Sequence, residues 1–184
     1  NDYRFETHTA KVCSKLRFKI ANINRVRPYL SMERVKMITE SLVISTVHYM
    51  AILYLRLPSN QKKVQKLVNQ AARVILQADA RTHIEDMNRE LYWLNMTNTY
   101  EYLLIASMRR LRERLMIAPV THGEIFVNRE LALYRFRSQH LRVQWRKFTA
   151  HGQNSFCFQG VSAYNKYELN GAWFGDEPTF KYVV

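Results

Sequence analysis

Ser59–Leu76, SNQKKVQKLVNQAARVIL, is the stretch that decides the fold. Val64, Leu67, Val68, Ala71, Val74 and Ile75 recur at spacings of three and four, which puts them on one face of a helix. Ser59 is the expected N-cap and Leu76 the expected last residue. Working outward, Pro58 is expected to end the preceding helix. That helix is predicted over Met32–Leu57, with Ser31 as its cap and Val35, Ile38, Leu42, Val43, Val47 and Ile52 as its apolar face. Within it, Ser41–Leu55 carries no Asp, Glu, Lys or Arg. It falls short of the ~20 apolar residues a membrane span needs, so it reads as a buried core helix with His48 as a satisfied core histidine. Before Pro28, Thr7–Arg27 reads as a first helix with Ala10, Leu16, Ile20 and Ile23 inward. Three such helices with short connections are expected to pack as an antiparallel bundle over residues 1–79.

Beyond the bundle, Thr82-x-x-Glu85 has the form of a capping box and predicts a helix over His83–Leu94. A fifth helix is predicted from Asn98, with Leu104, Met108, Leu111 and Leu115 as its buried stripe, so that residues 80–118 hold two further helices. Residues 119–184 are expected to form a small irregular C-terminal subdomain, basic and aromatic. Its segment NSFCF, Asn154–Phe158, alternates and predicts a short strand or hairpin, with Phe156 and Phe158 on one face and Gly160 allowing the chain to turn. The expected class is therefore mainly α.

The chain has 184 residues, 28 Lys and Arg, 15 Asp and Glu, and a formal net charge of +13. A surplus that large points to a polyanionic partner, and nucleic acid is the commonest one. The candidate contact residues are Lys11, Lys15, Arg17, Lys19, Arg25 and Arg27 on the first helix and Arg109, Arg110 and Arg112 on the fifth. In the C-terminal part, Arg135, Arg137, Arg142, Arg146 and Lys147 alternate with Tyr134, Phe136, Trp145 and Phe148. Cations neutralise phosphate and flat rings stack on bases, so this mixture suits nucleic acid; a half-buried strand with rings inward gives the same alternation.

The chemistry of catalysis is not legible. Two-metal phosphoryl transfer needs carboxylates held close together, and Asp2, Asp79, Asp86 and Asp176 are all apart. Asp176 adjoins Glu177 only in a Gly/Pro-rich tail. The cysteines, Cys13 and Cys157, and the six histidines lack zinc-ligand spacing. No cofactor is expected, and neither is an active site carried wholly by this chain. Two cysteines far apart argue against a disulfide framework and for a reducing compartment, and a start at Asn-Asp-Tyr reads as a fragment or processed piece.

The stretch HGQNSFCFQGVSAYNKYEL, His151–Leu169, resembles the C-terminal box of non-LTR, LINE-like retrotransposon reverse transcriptases, Tyr-Gly-x-x-Ser-Phe-x-Phe-x-Gly-x-x-x-Trp-Asn-x-Leu-Pro. Gly152, Ser155, Phe156, Phe158, Gly160 and Asn165 match; His151, Tyr164 and Glu168 depart from the pattern. Upstream, LYRFRSQHLRV is similar to the family's Tyr-x-Thr-Arg element, and RTHIEDMNRELYWLNM to its Arg-Glu-Leu-x-Trp-Leu segment. LVISTVHYMAILYL and VQKLVNQAARVIL resemble the helices that follow the palm, and FETHTAKVCSKLRFKIANINRVRPYLS the first helical segment after it. The resemblance covers almost the whole chain. It implies a thumb-like bundle and the region beyond, from a protein that copies RNA into DNA. The aromatic-x-Asp-Asp palm motif is absent, so the segment would be non-catalytic and would grip an RNA, DNA or hybrid template–primer beside the remainder of the parent polymerase. It also implies an intracellular setting, nucleus or cytoplasm, with no membrane partner. Phe156, Phe158, Gly160, Tyr164 and Asn165 would form a structural aromatic box. The departures, together with VHYMAILYLRL where the family has Tyr-Gly…Trp, fit a diverged copy. The alternative is a domesticated or degenerate retroelement module whose present task is protein–protein interaction.

Overall fold

The computed structural model describes residues 5–112 and 156–169, less the side chains of residues 111, 112, 157, 165 and 167–169. The protein is mainly helical, and among the described residues there is no strand. It divides into two compact units, Asn1–Tyr100 and Glu101–Val184.

In the first unit, α1 spans Glu6–Val26 and ends in a 3-10 turn, Arg27–Tyr29, that holds Pro28. Its buried side chains are Thr9, Val12, Cys13, Leu16, Ile20 and Ile23. Ala10, expected on this face, is exposed. The decisive stretch becomes α5, Pro58–Leu76, which buries Val64, Leu67, Val68, Ala71 and Ile75 as its spacing requires. Its start differs from expectation. Pro58 does not stop the helix before it but opens this one, where a missing N–H costs nothing, and Leu57 rather than Ser59 takes the cap position.

The helix predicted over Met32–Leu57 is broken. It consists of α2, Met32–Thr39; a π-helical turn, Glu40–Ile44; α3, Ser45–His48; and α4, Ala51–Tyr54. Tyr49 is extended and Met50 left-handed, at φ 54°. Two causes are visible. The buried residues Val35, Thr39, Val43, Val47, Ala51 and Leu55 recur every four positions. On an ideal helix such a row drifts by about 40° per step. A wider turn and a break keep it facing the core. The hydroxyls of Thr39, Ser41, Ser45 and Thr46 meanwhile each donate to the carbonyl four residues back, which loosens a helix. As a result Leu42 is 44% exposed, and His48, expected in the core, lies at the surface.

Long-range contacts fix the directions of these elements. The His8 ring lies 5.3 Å from that of Tyr54, and Lys19 Nζ donates to the Leu42 carbonyl, so α1 runs antiparallel to α2–α4. Arg27 reaches the carbonyls of Val74 and Ile75, while Lys63 acts on the Cys13 thiol, so α1 and α5 run parallel. The Tyr54 hydroxyl donates to the Val47 carbonyl at 2.5 Å and bridges the break from inside.

The capping box does not form. α6 spans Ile84–Leu91 with His83 at its cap and no side-chain cap bond, and it ends at a left-handed Tyr92 rather than at Leu94. α7 spans Met96–Arg112, two residues earlier than expected. Asn95 is its cap: its side-chain oxygen accepts from the Asn98 N–H at 2.8 Å, and Gln65 Oε1 accepts from the Met96 N–H at 2.6 Å.

In the second unit, the predicted strand is instead the start of α8, Phe156–Leu169; Asn154 and Ser155 lie outside the described residues. Five alternating residues cannot separate a strand from a helix. Gly160, Val161 and Tyr164 are all buried, with Phe156 half-buried at the same helical face, and this is the longer and stronger period. Gly160 does not turn the chain. It sits inside the helix, and a Cβ built on it would lie 2.8 Å from Met108 Sδ. Its bare face admits the Met108 side chain from α7, and Lys166 meets Glu101 at 3.6 Å. The two contacts set α8 antiparallel to the Glu101–Arg112 part of α7. Leu104 and Met108 are buried, as their spacing requires.

Candidate nucleic-acid interface

The residues of α1 opposite its buried stripe are Lys11, Lys15, Phe18, Asn22 and Arg25. They recur at steps of four and three, so they share a face. All five are exposed, and Phe18 is 70% accessible. Glu6 is the one acidic residue of α1, so no carboxylate interrupts this row. An apolar ring standing in water between lysines and an arginine gives a surface that can neutralise phosphates and stack on a base.

The remaining α1 cations have other surroundings. Lys19 Nζ donates to the Leu42 carbonyl at 2.9 Å and to Thr46 Oγ1 at 2.6 Å, and so ties α1 to the π turn. Arg27 is engaged further: Nε is shared between the carbonyls of Val74 and Ile75, Nη2 donates to Ile75, and Nη1 to Leu30. It closes the carbonyl end of α5. Both side chains are thus engaged with oxygens of the protein itself. Arg17 is exposed beside the α1–α5 seam. There the Cys13 thiol is pushed up by burial, with Arg17 and Lys63 pulling the other way. A raised thiol is a poor nucleophile, so Cys13 serves packing.

α5 adds cations that sequence reasoning did not single out. Lys62, Lys63 and Lys66 are exposed, Arg73 is half-buried, and the helix carries no acid. The signal was present in the same three-and-four spacing that marks its core, read from the opposite side. Phe18 and Asn22 were missed likewise, because attention to cations alone hides the row they complete.

In the second unit Arg110 is exposed and Arg109 half-buried. The side chain of Arg112, and all of Arg135, Arg137, Arg142, Arg146 and Lys147, lie outside the described residues. Of the aromatic box, Tyr164 is fully buried and Phe156 and Phe158 are half-buried on α8. Two residues apart on a helix, the two phenylalanines point to different sides, not one. The Asn165 side chain is outside the described residues.

Among the described residues no three His, Cys, Asp or Glu side chains cluster as metal ligands, and no helix is long and apolar enough to cross a membrane. Comparison with known protein families, with curated proteins and with solved structures finds no match to this chain.

Proposed function

We propose that the chain is a non-catalytic, nucleic-acid-binding part of a non-LTR retrotransposon reverse transcriptase, one that grips the backbone of an RNA, DNA or hybrid template–primer. The observation that carries this reading is the acid-free row Lys11, Lys15, Phe18, Asn22 and Arg25 on the outer face of α1, beside a helix α5 that carries cations and no acid. Its contacts are to phosphates, which position without reading sequence. The catalytic carboxylates belong to another part of the parent polymerase, and the setting is the nucleus or cytoplasm.

The test is binding of the chain to duplex, hybrid and single-stranded oligonucleotides across a salt series. Affinity falls steeply with salt, with a slope of about −0.9 per phosphate neutralised on duplex DNA. Replacing Lys11, Lys15 and Arg25 together by Gln flattens that slope. Binding that ignores salt, or a triple variant indistinguishable from the native chain, overturns the reading.

One observation favours a second reading, a protein-interaction module. Leu42, Tyr49, Met50 and Leu53 around the broken helix are 40–69% exposed, and exposed large apolar side chains close in sequence suit a protein partner.

A further inference from the structure

Where α1 and α5 end side by side, a cleft of about 380 Å³ opens between them. Its polar lining comes from Asn24 and Arg27 on one side and Gln70, Arg73 and Gln77 on the other, and among the described residues no carboxylate lines it. We propose that this cleft is a phosphate-binding site.

Arg27 is held rigidly before any ligand arrives. Its Nε and one N–H of each terminal nitrogen are fixed on backbone carbonyls at 3.0–3.2 Å. A guanidinium has five N–H groups, so each terminal nitrogen keeps a second one for a ligand. Little side-chain freedom remains to be lost on binding. Arg73 supplies the second observation: its Nε is buried and, among the described residues, has no hydrogen-bond acceptor. A desolvated N–H of a charged group left without an acceptor is costly, and an anion seated in the cleft supplies one.

The helix ends oppose an anion, because both α1 and α5 present their carbonyl termini here. Each terminus is worth about half a negative charge, however, against a full positive charge on each of the two guanidiniums. The carbonyls are also largely occupied. Those of Val74 and Ile75 accept from Arg27, and that of Arg73 accepts from the N–H groups of Gln77 and Ala78. Two guanidiniums and three carboxamides offer more donors than the two oxygens of a carboxylate use, and they match the several oxygens of a phosphate. The volume leaves room for whatever the phosphate is attached to.

The site does not depend on the nucleic-acid grip of α1. Inorganic phosphate, a terminal phosphate and a backbone phosphate present the same oxygens, and the experiment separates them. The melting temperature of the full chain is followed with inorganic phosphate and with chloride at matched ionic strength. It rises more in phosphate for the native chain, and that excess disappears in Gln70→Glu. Gln70 is exposed, so the new carboxylate repels an anion without disturbing the core. Arg73→Gln loses the excess as well. A phosphate excess that both variants keep at the native size, or no excess over chloride in the native chain, overturns the proposal. Two oligonucleotides, one 5′-phosphorylated and one not, then identify the source. A tenfold or larger loss in Gln70→Glu confined to the phosphorylated one assigns a terminal phosphate, and an equal loss on both assigns the backbone. Loss of oligonucleotide binding in the α1 triple variant with an intact phosphate effect separates this site from the α1 row.

Discussion

Arg27 and Lys11 look alike in the sequence, two cations on one basic helix, and the fold treats them in opposite ways. Arg27 lies where the carbonyls of a neighbouring helix end, a fact set by contacts 47 and 48 residues away, and no local pattern announces it. Removing it leaves three backbone carbonyls without this donor, so Arg27→Ala is expected to cost about 2–3 kcal/mol in urea unfolding. Lys11→Ala is expected to stay within about 0.5 kcal/mol. Equal costs would mean that the Arg27 bonds contribute nothing net. Two tyrosines give a second residue-level expectation. Burial raises the phenol of Tyr100 to about 12 and pushes that of Tyr54 up further, with Cys13 adding to the latter. A phenol whose folded pKa is raised contributes stability that is present in full below its unfolded value, about 10, and lost as pH rises through the folded one. Stability is therefore expected to hold at neutral pH and to fall from about pH 10 toward 12. Tyr100→Phe is expected to make that fall shallower, read by denaturant melts across the alkaline range.

At the scale of elements, the sequence was most legible where the period was long. α1 and α5 run close to their predicted spans because the buried positions in each repeat at three and four. The errors share a cause: a local signal outvoted by a tertiary one. Thr82-x-x-Glu85 has the form of a capping box, yet the helix starts at Ile84, where Met87 and Leu91 can be buried together. NSFCF alternates, yet Gly160 and Tyr164 bury on a helix. Ser41–Leu55 carries no Asp, Glu, Lys or Arg, and its even run of apolar residues and small hydroxyls conceals both the four-residue drift and the break that corrects it. The break gives a graded test. Met50 sits at φ 54° and is 44% exposed, so its side chain contributes little packing while its backbone is strained by about 1–2 kcal/mol. Met50→Gly is expected to be as stable as the native chain or more so, and Met50→Val, β-branched, less stable. The reverse order in thermal melts would show that the left-handed turn is not what the position demands. α8 gives another. Gly160→Ala drives a methyl into the fully buried Met108, and the overpacking is expected to cost about 1–3 kcal/mol.

At the scale of the whole molecule, the candidate interface was legible in part: Lys11, Lys15 and Arg25 were expected contacts, while Phe18 and Asn22 beside them were not. Composition pointed to a polyanion, and the alternation of cations with rings in residues 134–148 drew attention to the C-terminal part. The described helices offer another carrier, the α1 row, whose cations were expected contacts and whose centre is an exposed phenylalanine. The two alternatives are separable. Residues 1–112 hold nineteen lysines and arginines against nine acids, most of the surplus of the whole chain. They also hold the buried positions of α1 through α6 and the contacts that join these helices, from the His8–Tyr54 ring contact at one end to the Met96–Gln65 hydrogen bond at the other. A fragment ending at Arg112 is therefore expected to be helical by circular dichroism and to melt cooperatively. If α1 is the grip, this fragment keeps the steep salt dependence of the full chain, and Phe18→Ala within it weakens single-strand binding by about 1–3 kcal/mol. Its stability barely changes, because the ring is already 70% in water. If instead the cations of residues 135–147 are the grip, the fragment folds but its affinity and its salt slope both collapse. A folded fragment with a flat salt dependence would move the interface off α1, and the assignment of Lys11, Lys15 and Arg25 to phosphate contact would be withdrawn with it.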